Sequence, residues 1–96
     1  MAPALVRRAQ GMVPVRKSWR LPAEERCPAR VRRQLAAVRE RGTAAGVNLR
    51  DVWPWFDGRR DVHSLWERLQ YRVPCALDLL VDWVAVLARA GAVELR

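Results

Sequence analysis

The chain offers few side chains that could make or break bonds. Its single histidine, His63, is the one imidazole available as a general base, and Ser64 follows it directly. A hydroxyl nucleophile needs a base and a further group that orients the base. Helical spacing puts His63 on the polar side of its segment, so a solvated surface histidine is the expected state. Asp78 and Asp82 are four apart, which places both carboxylates on one helix face. That pair could hold a metal, but a solvated helix edge is far commoner and is the reading taken. Cys27 and Cys75 are far apart, with no C-x-x-C and no Cys/His cluster, so zinc-type spacing is absent. Two reduced thiols in a cytosolic protein is the reading, with one disulfide as the alternative. Neither Gly42 nor Gly46 opens a phosphate loop, because no Gly-Lys-Ser/Thr follows and no third glycine completes a dinucleotide fingerprint. We therefore expect no catalysis, no cofactor and no metal.

The residues suited to binding are more numerous. The 96 residues carry 18 Lys and Arg against 10 Asp and Glu, a net charge of +8. Residues 1–42 hold eleven basic and three acidic side chains, whereas residues 43–96 hold seven of each. Attraction to nucleic acid or to an acidic surface is thus expected through the N-terminal half. Five tryptophans accompany the charge. Trp66 and Trp83 fall on apolar helix faces and are expected in the core. Trp53 and Trp55 flank Pro54 and cannot point the same way, so one is expected inside and one outside. Trp19 lies among Arg16, Lys17 and Arg20, where a ring could stack on a base while the charges track phosphates. The same pattern suits an arm docking on its own domain.

Positioning these groups requires a mainly helical small domain, with three to four helices and a short hairpin or terminal strand. Residues 1–27 read as a basic arm without a helical stripe, punctuated by Gly11 and Pro14. They are either disordered or folded as a hairpin of Leu5–Arg8 with Met12–Arg16, in which Pro14 must take an edge position. Arg7, Arg8, Arg16, Lys17 and Arg20 with no acid before Glu24 also match the charge pattern of a mitochondrial transit peptide, although serine is scarce. Residues 28–96 read as one domain. Pro28–Arg41 is a predicted helix with a narrow stripe of Val31, Leu35 and Val38, stopped by Gly42. Asn48 can cap a short turn limited by Pro54, and Asp57-Gly58 marks a turn. Asp61 can cap Val62–Gln70, whose Val62, Leu65, Trp66 and Leu69 form one apolar side. Pro74 opens a last helix running to Ala90, closed by Gly91. That helix is apolar most of the way round, apart from a line of Asp78, Asp82, Ala85 and Arg89. It is either central to the fold or covered by a partner, and a homodimer through helix 74–90 is plausible on that ground. Alternation over Ala92–Arg96 predicts a strand. The longest apolar run near the C-terminus is far short of a membrane span of roughly 20 residues, and a cytoplasmic protein is expected.

Residues 52–95 carry a further pattern in Asp57, Gly58, Arg59, Arg60, Val62, Leu65, Leu80, Val84, Leu87, Gly91 and Leu95. This turn, helix, longer helix and Gly-hydrophobic ending resembles the helical half of winged-helix domains. In particular it is similar to the small PqqD-type domains that recognise leader peptides of ribosomally made, modified peptides. The resemblance implies a winged-helix-like peptide-binding adaptor in which the edge of a three-stranded sheet captures the peptide as an added strand. In this chain only Leu5–Arg16 could supply the hairpin, and the helix at 28–41 intervenes.

Two function classes follow. The first is a non-enzymatic adaptor for a peptide or protein, acidic in one version, using Trp53, Trp55, Asp78, Asp82 and Arg89. The second is a DNA- or RNA-binding regulator using Arg16, Lys17, Trp19, Arg20, Arg30, Arg32, Arg33 and Arg39. Base readout by the helix in the recognition position is disfavoured, because its outward line begins with two carboxylates that would repel phosphates.

Overall fold

The computed structural model describes residues 2–21 and 24–96; Met1, Pro22 and Ala23 of the expected arm lie outside the described residues. The elements in order are α1 (Pro3–Gln10), β1 (Pro14–Arg16), a 3-10 turn (Glu24–Arg26), α2 (Ala29–Ala44), α3 (Leu49–Val52) with a 3-10 turn (Trp53–Trp55), α4 (Val62–Leu69), α5 (Leu77–Arg89) and β2 (Val93–Leu95). The domain is mainly helical with one small antiparallel sheet.

The apolar excess of α5 decides the arrangement. Leu77, Leu79, Leu80, Val81, Trp83, Val84, Val86 and Leu87 are all buried. Each such side chain contributes about 1.5–3 kcal/mol when removed from water. No single neighbour can cover so wide a face, and α5 packs against α1, α2, α4 and β2 together. The apolar surface that suggested a homodimer through residues 74–90 is therefore covered within one chain. The helix also starts later than Pro74. Trp66 Nε1 donates to the Cys75 carbonyl at 2.7 Å, which ties down the approach segment, and Ala76 is still extended at ψ 143°.

Gly42 has a different role from the stop signal expected of it. The helix α2 runs through it to Ala44 and ends where Gly46 takes a left-handed φ of +76°. Gly42 continues the stripe of Val31, Leu35 and Val38 and is itself buried. A Cβ placed on it would lie 2.9 Å from the Val47 carbonyl oxygen, 3.2 Å from Trp83 Cη2 and 3.4 Å from Trp83 Cζ3. Its missing side chain is what lets α2 approach the Trp83 ring.

The hairpin over Leu5–Arg16 does not form. Leu5–Arg8 belongs to α1, which opens on Pro3 and turns Leu5, Val6 and buried Ala9 toward the core. Packing against α4 and α5 holds a helix too short to persist alone. The strand half survives as β1, but its partner is β2, with Pro14 opposite Leu95 and Arg16 opposite Val93. On the other side of β1, Arg16 N–H donates to Phe56 O at 2.8 Å and Gly58 N–H donates to Pro14 O at 3.0 Å, around a bridge of Val15 with Asp57. Pro14 is thus buried beside two neighbours rather than at an edge. On that side its carbonyl accepts from Gly58 and the next bond runs from Val62 N–H to Met12 O, so the pairing passes the proline without using its N–H.

Asp61 Oδ1 accepts from Ser64 N at 2.9 Å and caps α4, and Asn48 Oδ1 accepts from Arg50 N at 3.0 Å and caps α3. Replacing Gly42 tests the α2–α5 contact. Gly42→Val should lower stability by about 1–3 kcal/mol through overpacking, despite removing a glycine from a helix. Urea unfolding monitored by circular dichroism measures this, and an unchanged midpoint would contradict the close approach.

Candidate functional site

The residues singled out for binding fall into separate groups. Arg16 and Trp19 do come together: the Arg16 guanidinium sits 4.0 Å from the Trp19 ring centroid, and its Nη1 donates to the Pro54 carbonyl at 2.7 Å. Trp53 lies beneath them, buried, with its Nε1 donating to the Trp19 carbonyl at 3.2 Å and its ring edge-on to Phe56. Trp53 is thus the inward ring of the Trp-Pro-Trp turn and acts as a core residue. Trp55 is half-buried at the surface, and Trp19 is 80% exposed. Lys17 and Arg20 are exposed beside it.

The α5 line is bound up within the chain. Arg41 reaches across from α2 and places Nη1 2.7 Å from Asp82 and Nη2 3.5 Å from Asp78. Arg89 Nη1 donates to Gln34 Oε1 at 3.2 Å. These contacts are exposed and each contributes at most about 1 kcal/mol. They do remove the two carboxylates as free negative charges. Arg39 is paired with Glu24. Arg30, Arg32 and Arg33 project from α2 into solvent, and Arg30 shares a shallow hollow with Arg89. His63 Nδ1 lies 3.0 Å from Glu67 Oε1, and the imidazole tilts over Trp66 at 5.8 Å. The described residues contain no group of three or more His, Cys, Asp or Glu able to hold a metal ion.

A second basic surface escaped the sequence reading. A groove of about 670 Å³ is lined by Trp55, Arg60, Ser64, Glu67, Arg68, Tyr71 and Arg72. Summed charge hid it, because residues 43–96 balance to zero over the whole half. Arg68, Tyr71 and Arg72 are at i, i+3 and i+4 spacing, a signal that was available. Arg60 joins them only through the fold. Three bonds fix the turn that carries the exposed groups. Val73 N–H donates to Leu69 O at 2.7 Å, Arg72 N–H to Leu69 O at 3.0 Å, and Gln70 Nε2 to Cys75 O at 3.3 Å.

Comparison of the chain with known protein families, curated proteins and solved structures found no match. No helix among the described residues is long and apolar enough to cross a membrane.

Burial pushes the Cys75 thiol above its ordinary range, since desolvation disfavours the thiolate. The folded chain therefore keeps a proton that the unfolded chain releases. Stability from this group is full below the ordinary thiol range and falls as pH rises through it. At about pH 8.5, alkylation of Cys75 by iodoacetamide should be slower in the native chain than in urea. Mass spectrometry of the labelled peptide reads the rate, and equal rates would contradict the burial.

Proposed function

We propose that this protein is a non-enzymatic binding module whose partner is a nucleic acid, held mainly through its phosphates. The observation that carries this is the state of the guanidinium groups. Of the 18 basic side chains, those with a carboxylate partner among the described residues are Arg39 and Arg41. Many of the acids are occupied elsewhere: Asp57 and Asp61 accept backbone N–H groups, and Glu67 faces His63. The positive field is therefore left open to solvent on several faces, and a polyanion would release its counterions against it.

The mode of contact also has support. The helix in the recognition position, α5, is buried along most of its surface, and its outward line is Asp78, Asp82, Ala85 and Arg89. It cannot lie in a major groove and read bases. Backbone contacts by Arg30, Arg32, Arg33 and the Arg16–Arg20 segment favour sequence-tolerant binding. The adaptor reading, drawn from the resemblance of residues 52–95 to PqqD-type domains, keeps one support, because the same arginines would accept an acidic peptide. Capture as an added strand lacks support. Val93 is buried on the outer row of β2, and the Asp57 N–H already donates to Trp55 O.

Fluorescence anisotropy of labelled single-stranded RNA, duplex DNA and a polyglutamate peptide separates the partners. Between about 50 and 200 mM salt, binding should weaken by about 10³-fold for duplex DNA and by roughly 300-fold for single-stranded RNA if roughly six phosphates are engaged. Arg30→Glu, Arg32→Glu and Arg33→Glu together should weaken it further. Asp78→Lys with Asp82→Lys should leave it unchanged or strengthen it, because Arg41 is then released. Absence of nucleic-acid binding at the lower salt overturns the reading, and selective binding of polyglutamate moves it to the adaptor.

A further inference from the structure

We propose that the groove bounded by Trp55, α4 and the turn after it is the seat of a single-stranded nucleic acid, with a base on Tyr71 and phosphates on Arg60, Arg68 and Arg72. The proposal rests on the nucleic-acid reading and assigns it a site.

Tyr71 is the most exposed large aromatic of the chain, at 91%. The neighbouring core takes Leu65 and Leu69 fully, and Tyr71 contributes nothing to it. Its ring is presented from a turn held by the backbone bonds to Leu69, so little ordering is required on contact. Trp55, half-buried, forms the opposite side of the groove. Among the described residues Arg60, Arg68 and Arg72 have no carboxylate partner. Glu67, the one acid in the lining, faces His63 at 3.0 Å. Three guanidiniums around two aromatic rings is the combination that binds phosphates and stacks bases at once.

The occupant follows from that pairing. A duplex keeps its bases enclosed and could use the arginines alone. A single strand can turn a base out onto the Tyr71 ring while its phosphates stay near Arg68 and Arg72. An acidic peptide would satisfy the guanidiniums and leave both rings without a stacking partner.

The test uses the full chain and a labelled oligouridylate of about ten nucleotides, within the usual range of single-strand sites. Tyr71→Ala should weaken binding roughly 5- to 100-fold at unchanged salt dependence, because stacking is lost and no charge is removed. Tyr71→Phe should retain binding. Arg68→Glu with Arg72→Glu should weaken binding and reduce the slope of log affinity against log salt by about 1.4, two single-strand phosphates' worth. All three positions are on the surface, and circular dichroism checks that each variant folds. Wild-type binding that Tyr71→Ala leaves intact overturns this site but not the function. A wild-type chain that binds no nucleic acid overturns both. Duplex bound as tightly as single strand, with Tyr71→Ala neutral on each, overturns the stacking role. Polyglutamate that binds and is weakened by Arg68→Glu with Arg72→Glu, while oligouridylate does not bind, assigns the groove to an acidic peptide and overturns the proposal.

Discussion

A small chain has only enough apolar side chains for one core, and here a single helix provides much of it. Eight residues of α5 are buried, from Leu77 to Leu87. A helix apolar around most of its circumference must be surrounded, and the chain has to return to it from several directions. Thus α1, α2, α4 and β2 each take one side of it. One close approach among these is the contact of Trp83 with Gly42, where a Cβ on α2 would meet both the ring and the Val47 carbonyl. The two chain ends meet for the same reason. β2 follows α5 after a turn and pairs with β1, which fixes α1 over the core.

Placing α5 inside also determines what remains for function. With the central helix enclosed, the partner contacts proposed above fall to the outer faces of α2, the Arg16–Trp19 segment and the groove beside α4. These are where unpaired guanidinium groups and exposed rings lie. The fold uses only a little of its charge internally. Arg41 neutralises the carboxylates of α5, and Arg39 holds Glu24 against α2. Arg16 and Arg89 make contacts of their own with Trp19, Pro54 and Gln34, but the surplus of positive charge as a whole opposes the compact state, because like charges on a small surface repel. The nucleic-acid reading proposed above gives that surplus a use.

The parts of this architecture legible in the sequence are those set locally. The Asp61 cap, the one-sided pattern of α4, the apolar last helix, the Asp57-Gly58 turn and the alternating end all depend on residues within a few positions of one another. The parts missed depend on distant partners. Nothing near Leu5 signals a helix, because α1 is short and is held by α4 and α5. Gly42 reads as a stop until Trp83 is placed beside it. Pro14 looks fit only for an edge until the bonds beside it, from Gly58 to its own carbonyl and from Val62 to that of Met12, are seen to bypass its missing N–H. The candidate surface divides the same way. The charge of the N-terminal half was visible in composition, whereas Trp19 was left open between a free ring and a docked arm. The fold shows an exposed ring on a segment docked through the Trp19 carbonyl, and the buried Trp53 or Trp55 alternative resolved in favour of Trp53. The groove required Arg60 and Trp55 to be brought beside Arg68, Tyr71 and Arg72 by the fold.

Amide hydrogen exchange on the full chain, free and saturated with an oligouridylate, tests most directly whether α5 is an interior pillar with the partner held outside it. Amides of α5 should exchange most slowly in both states, since opening them requires unfolding the core. New protection on binding should fall outside α5, around the turn at 70–73 and the Trp55–Arg60 segment. Fast exchange along α5 in the free chain, or protection gained mainly over residues 78–89, would mean that this helix leaves the core to meet its partner and would contradict the account.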